Sequence, residues 1–319
     1  MRRRTLVTGA FSAATLPYFA YAADPFPTRA IKIISPYAAG GGPDVQLRQF
    51  APSMAEAIKQ PVVIENKVGA GGVLAAQFVA AAPADGYTLL MGSNTHLIQK
   101  SMQPSHKFDP VSDFVGVSNM AASPTILVVS SESSWRTMAD LADAIRKSPG
   151  AMNYGSGGIG TSAHLAGATF LSLHSLNATH VPLKGSVEIA ASLLRGDTQF
   201  AFPVAGTGVP HIKGGKLRAL AVTSRTRLAQ LPDVPTLNEL MNNELTVQDS
   251  WFGIWAPART PSEVVSALHA ASVAALKLPS IRAAFEAAGN LAVPSDSPQA
   301  FTAFVRTEQK KWADIVRLT

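Results

Sequence analysis

The chain has 319 residues, a formal charge of +6 and no cysteine. Hydrophobic residues make up 47% and charged residues only 15%, which excludes a disordered chain and indicates a well-packed globular one. Without cysteine neither a lipoprotein anchor nor a disulfide can be built, and the scattered Lys and Arg lack the clustering with aromatics that marks a nucleic-acid binder.

In chain order, Arg2, Arg3 and Arg4 form a basic start, an uncharged and mostly apolar stretch runs from Leu6 to Ala20, and Ala20-Tyr21-Ala22 places small residues at −3 and −1. Residues 1–22 therefore read as a secretory signal peptide. Gly9 and Pro17 break the stretch, which is too short to cross a bilayer. The arginine run also suits a twin-arginine export route. Cleavage removes three of the six net positive charges and leaves 297 residues at +3, a mild field that favours anionic solutes. A chain of that length is near the size at which one core stops growing, so two lobes are expected. No later apolar run reaches membrane-spanning length without charge, glycine or proline, so the product is expected to be soluble.

Apolar runs of strand length alternate with helical periods, the pattern of parallel sheets covered by helices and hence of an α/β fold. Ile31–Ser35 reads as a strand, followed by a glycine-rich turn and a helix from about Asp44 to Lys59. Pro61–Glu65 is the next strand, then a helix from about Gly72 to Ala82, and Tyr87–Met91 a third strand. Phe114–Val117 and Thr125–Val129 are further strands, separated by an Ala-Ser-Pro stretch that suits a crossing between lobes. The middle of the chain repeats the grammar. Helices are expected at Thr137–Lys147, Ser162–Leu176 and Val187–Leu194, with strands near Asn153 and at Thr179–Pro182, Gln199–Phe202 and Leu217–Thr223. Trp251–Pro257 reads as a strand returning to the first lobe. The lobes are thus expected at 23–123 with 247–319, and at 124–246. In the helical tail Phe301, Phe304, Val305, Trp312 and Ile315 share one apolar face and are expected in the core.

Two glycine-rich strand-to-helix turns stand out, one in each expected lobe. Gly40-Gly41-Gly42-Pro43-Asp44 opens the first helix, where unpaired amides and the helix dipole favour an anion. The same residues also serve as an ordinary tight turn with a capped helix. Gly155–Ser162 repeats the arrangement in the second lobe, and two such turns facing across a cleft suit a carboxylate. Gly155, Gly157 and Gly160 match a dinucleotide fingerprint, but the following strand ends in Pro182-Leu183-Lys184 where an acidic ribose ligand is required. His164 and His180 are read as structural residues close to the cleft. The seven histidines show no metal spacing, Ser156 lies outside a nucleophile elbow, and no nucleophile has a base in view. An enzyme, a metal and a cofactor are therefore not expected.

Over nearly the whole mature chain the sequence resembles the tripartite tricarboxylate transporter solute receptors, the Bug family of periplasmic binding proteins. The matching stretches are Ile33–Tyr37 leading into Gly40–Asp44, Val63–Gly72, Ala84–Leu90, Asn153–Gly160 with His164-Leu165, His180–Gly185, Gly215–Thr223 and Leu231–Thr236. The resemblance implies a type II periplasmic-binding-protein fold, two doubly wound lobes joined by two crossing strands and closing around one small organic carboxylate. It implies a monomeric, periplasmic receptor that hands its ligand to membrane transporter subunits. A sensor that presents its ligand to a signalling receptor, and an enzyme on this fold, are the alternatives. Carried onto this chain, the ligand contacts are Tyr37, Ala39, Gly40 and Asp44, then Ser93, Asn94 and Thr95, and in the second lobe Gly158, Thr161, Ser162, Lys184, Pro203 and Val204. Many relatives carry an acidic residue where this chain has Phe202–Gly206, and an aromatic at Leu183. Leu183, Pro203 and Val204 instead suit a ligand with a hydrophobic body and no amine.

Overall fold

The computed structural model describes residues 26–319; the signal-peptide assignment of 1–22 lies outside them. The described chain runs β1 (Ile31–Ser35), α1 (Gly42–Ile58), β2 (Val62–Asn66), α2 (Val73–Ala80), β3 (Thr88–Ser93), α3 (Asn94–Met102), β4 (Phe114–Pro124) and β5 (Ile126–Ser130). It continues with α4 (Met138–Lys147), β6 (Asn153–Ser156), α5 (Ser162–Leu173), β7 (Thr179–Pro182), α6 (Ser186–Arg195), β8 (Phe200–Ala201), α7 (Ala205–Lys213) and β9 (Leu217–Val222). Last come α8 (Leu237–Met241), β10 (Asp249–Pro257), α9 (Ser262–Lys277), α10 (Pro279–Ala287), β11 (Leu291–Ala292) and α11 (Pro298–Leu318).

Two mixed sheets form two α/β lobes. The first has six strands in the order β11-β4-β10-β3-β1-β2 and the second five in the order β7-β6-β8-β5-β9. Side-chain alternation explains why helices cover both faces of each. In β1, Ile31 and Ile33 join the core under α1 and α9, while Ile34 points the other way into a core with α2, α3 and α11. In β5, Leu127 and Val129 face α4 and α5, and Ile126 and Val128 face α6 and α7.

The lobes are joined where β4 leaves the first sheet for β5 and where β10 returns from the second. These crossings run side by side, with Asp249 opposite Pro124 at the start of a nine-residue antiparallel ladder. Thr223 ties them together: its hydroxyl accepts from Thr125 N–H at 2.9 Å and lies 3.1 Å from Gln248 O. The Ala-Ser-Pro stretch, expected to separate two strands, is part of β4, and the break comes one residue later at Thr125.

Four elements had no counterpart in the expectations: α3, α7, α8 and β11. Each is short, and α3 begins immediately after β3 through a capping box in which His96 replaces the usual Glu or Gln. Among the described residues no single helix is long and apolar enough to cross a membrane.

Candidate functional site

A cavity of about 640 Å³ lies between the lobes, within the size range of small-molecule sites. Its walls come from the β1–α1 turn, the Val68–Gly72 loop, the start of α3, the Gly157–Ala163 turn, the β7–α6 turn and β10. The sequence places it there for a physical reason: in both lobes parallel strands end at this cleft, and each hands the chain to a helix that starts at the cavity. Thr161, Ser162 and Ala163 bring the first turn of α5, Thr95 and His96 that of α3, and Pro43 that of α1. First-turn amides have no carbonyl one turn earlier to bond, so the cavity faces donors and the positive ends of helix dipoles. Among the lining residues Lys184 is the one permanent cation, and none is Asp or Glu. Apolar Val68, Leu183, Ile189, Val204 and Phe252 complete the walls.

Of the residues carried over from the resemblance, Tyr37, Thr95, Gly158, Thr161, Ser162, Lys184 and Val204 line this cavity. Ala39, Gly40, Asp44, Ser93, Asn94 and Pro203 are not among its lining residues. Ala39 and Gly40 face solvent on the outer side of the β1–α1 turn, and Ala38 takes the inner side. Pro203 is buried, and its carbonyl accepts from Ile126 N–H at 2.9 Å. Ser93 ends β3 with its hydroxyl accepting from Tyr37 Oη at 2.8 Å, so it orients a lining residue. Burial pushes the Tyr37 phenol well above its ordinary value, keeping it a neutral donor. Asn94, which opens α3 rather than sitting in a loop, reaches Ser162 at 3.1 Å and Ser250 at 3.2 Å, joining both lobes in one buried cluster.

The first glycine turn is closed on itself. Asp44 accepts from Gly40 N–H at 2.9 Å, from Arg48 Nε at 2.8 Å and from Asn66 Nδ2 at 2.6 Å. Gly42 N–H is directed at Thr207 Oγ1 of the second lobe, 3.3 Å away. A side chain at Gly42 would meet the Gly206 backbone at 2.8 Å, so the start of α1 is pressed against the start of α7. The second turn is the more open donor site: α5 offers the amides of Ser162 and Ala163, while His164 N–H is capped by Thr161 Oγ1 at 3.3 Å.

Sequence reasoning missed His96, Gln99, Ser250, Phe252 and the Val68–Gly72 loop. His96 is fully buried, and burial lowers its pKa to about 4, so it is neutral at pH 7. Its Nδ1 accepts from Ser93 N–H at 3.1 Å, which leaves the proton on Nε2, a buried donor with no protein partner among the described residues. A serine at the end of a strand with a histidine three residues on is the spacing that signals this cap. Ser250 and Phe252 are adjacent inward positions of one strand and carried no motif.

His164 and His180 lie outside the lining, stacked with centroids 4.1 Å apart under the second turn. His180 Nε2 is 2.7 Å from Ser156 Oγ, and Gly160 N–H donates to His164 Nδ1 at 3.2 Å, so both support the turn from below. No group of three or more His, Cys, Asp or Glu among the described residues forms a metal site.

The model of the tripartite tricarboxylate transporter family receptor matches residues 46–319. Protein BugT of Bordetella pertussis is 32% identical over 321 residues, covering 100% of this chain and 98% of its own. Among solved structures, Rpa4515 of R. palustris with adipate is 30% identical with a TM-score of 0.87, covering 92% of this chain and 98% of its own. MatC of Rhodopseudomonas palustris with bound malate is 28% identical with a TM-score of 0.85, covering 91% and 100%. Two α/β lobes around a donor-lined cavity, the family match and these likenesses agree: the chain belongs to the tripartite tricarboxylate transporter family of solute-binding receptors, with the Bug proteins.

Proposed function

We propose that the protein captures a small organic carboxylate in the cavity between its lobes and delivers it to the membrane subunits of a tripartite tricarboxylate-type transporter. The observation that carries this reading is the lining: three helix starts and Lys184 converge on one cavity that holds no Asp or Glu. Tyr37, Thr95, Gly158, Thr161, Ser162 and Lys184 bind the acid, and Ser93 and Asn94 hold them in place. Val204, with Leu183 and Phe252, packs the ligand body. Without a carboxylate to pair an ammonium group, an acid with an apolar body is preferred over an amino acid. The lobes divide at 123/124 and 246/247, and the protein acts as a periplasmic monomer without a nucleic-acid partner. Relatives solved with adipate and malate support the ligand class. A binding role without turnover is supported by the Ser156–His180 pair, neither member of which is among the cavity's lining residues.

A thermal-shift screen with adipate, malate and aromatic acids tests the proposal, followed by calorimetry and by NMR of the acid. A hundredfold excess over Kd adds about 2.7 kcal/mol of apparent stability, which a melting curve resolves. One acid is expected to bind one-to-one and remain chemically unchanged, and Lys184→Ala is expected to weaken it at least about tenfold. If no acid shifts the melt, or if the bound acid is consumed, the reading is wrong.

A further inference from the structure

We propose that Gln99 is a positioning residue that clasps the Gly157–Gly160 turn of the second lobe against the first and turns its carbonyls away from the ligand. Gln99 projects from α3, is 8% exposed, and donates from Nε2 to Ile159 O at 2.6 Å. Glycines enclose this amide from both lobes. A Cβ on Gly71 would lie 2.0 Å from Nε2, and one on Gly160 would lie 2.6 Å from it. Both glycines have positive φ, +60° and +73°, so neither the backbone nor the space admits a side chain. Three segments that line the cavity thus close on one nitrogen.

The clasp matters for an anion. Gly158 O is taken by Thr161 Oγ1 at 2.8 Å and by Ser156 Oγ at 3.0 Å, and Gln99 takes the next carbonyl, Ile159 O. With these two carbonyls engaged, their lone pairs are drawn aside from a carboxylate bound at the α5 amides. The Ile159 side chain is 55% exposed, so apolar packing contributes little to holding the turn down. The turn itself is held to the first lobe by this one hydrogen bond from Gln99, beside the Asn94–Ser162–Ser250 cluster and Leu165, which is buried in the first lobe's core.

The consequence for ligand binding rests on the reading of the cavity given above, but the clasp is tested without ligand. Amide hydrogen exchange of the mature protein is compared between wild type, Gln99→Ala and the nearly isosteric Gln99→Glu, which lacks the donor. In the segment 157–163, where Gly158, Gly160 and Thr161 N–H are hydrogen-bonded, exchange is expected to accelerate about tenfold in both variants. Segments covering β3 and β5 are expected to keep their wild-type rates. Unchanged exchange at 157–163, or acceleration shared equally by β3 and β5, overturns the proposal. A failed screen of acids leaves this result untouched, so the two readings fail separately.

Discussion

At the scale of single residues, Asp44 shows how a residue read for a ligand can have its hydrogen bonds engaged within the protein. Its position at the start of α1 invites a ligand, yet its carboxylate is buried and saturated by Gly40, Arg48 and Asn66. Burial alone would raise its pKa, but the bonds from Arg48, Asn66 and Gly40 prevail and hold it below the usual carboxylate value. Asp44→Ala strands these donors in a partly buried place and is expected to cost about 2–4 kcal/mol in urea unfolding. Ligand affinity is expected to change little. A variant of wild-type stability that has lost affinity would return Asp44 to the ligand shell. What sequence could not convey here is direction: the type and spacing of the residues were legible, but the neighbours that consume their hydrogen bonds come from β2 and α7.

At the scale of elements, α11 ties the tail to the first lobe through one buried carboxylate. Glu308 Oε2 accepts from Trp251 Nε1 at 2.9 Å and Trp312 Nε1 at 2.8 Å. Phe301, Val305, Trp312 and Ile315 are buried as the helical period predicts. Phe304 departs from that expectation at 37% exposure, stacked on Phe301 and edge-on to Trp251 at the rim. Its position one residue before Val305 puts it about 100° off the buried face. Trp312→Ala is expected to cost about 3–5 kcal/mol by chemical denaturation, and Phe304→Ala clearly less. Equal losses would mean that the rim is packed as tightly as the core. The long elements were legible because their apolar periods are sustained; α3 escaped because it follows β3 with no turn between, α7 because Gly206, Gly208 and Pro210 interrupt its period, and α8 because five residues hold too little of one.

At the scale of the whole molecule, stability follows buried titratable groups. His96 and His180 have pKa values lowered to about 4, and His164 is lowered as well, each chiefly by burial. The unfolded chain takes these protons near pH 6.5 while the folded chain refuses them, so their contribution is complete above 6.5 and is lost as pH falls towards 4. Asp249 at the returning crossing behaves oppositely. Burial raises it to about 6, so its contribution is present below its ordinary value and is lost as pH rises through 6. The melting temperature is expected to fall between pH 7 and pH 4.5, and Asp249→Asn is expected to steepen that fall. A flat profile, or a shallower one in the variant, contradicts this assignment.

The sequence by itself determined the α/β alternation, the family and the two glycine turns, because hydrophobic period and glycine spacing are local properties that a linear pattern records. Seven of the thirteen carried-over contacts line the cavity for the same reason: Thr161, Ser162 and Lys184 sit where a turn becomes a helix or a strand ends. Only the tertiary structure decided which donors remain available. It closed the first turn against α7, left the second open at α5, and brought in His96, Ser250 and Phe252 from elements far apart in the chain. A hydrogen bond has one donor and an acceptor of limited capacity, so whether a residue faces the ligand is settled by every neighbour that competes for it, and those neighbours meet only in the fold.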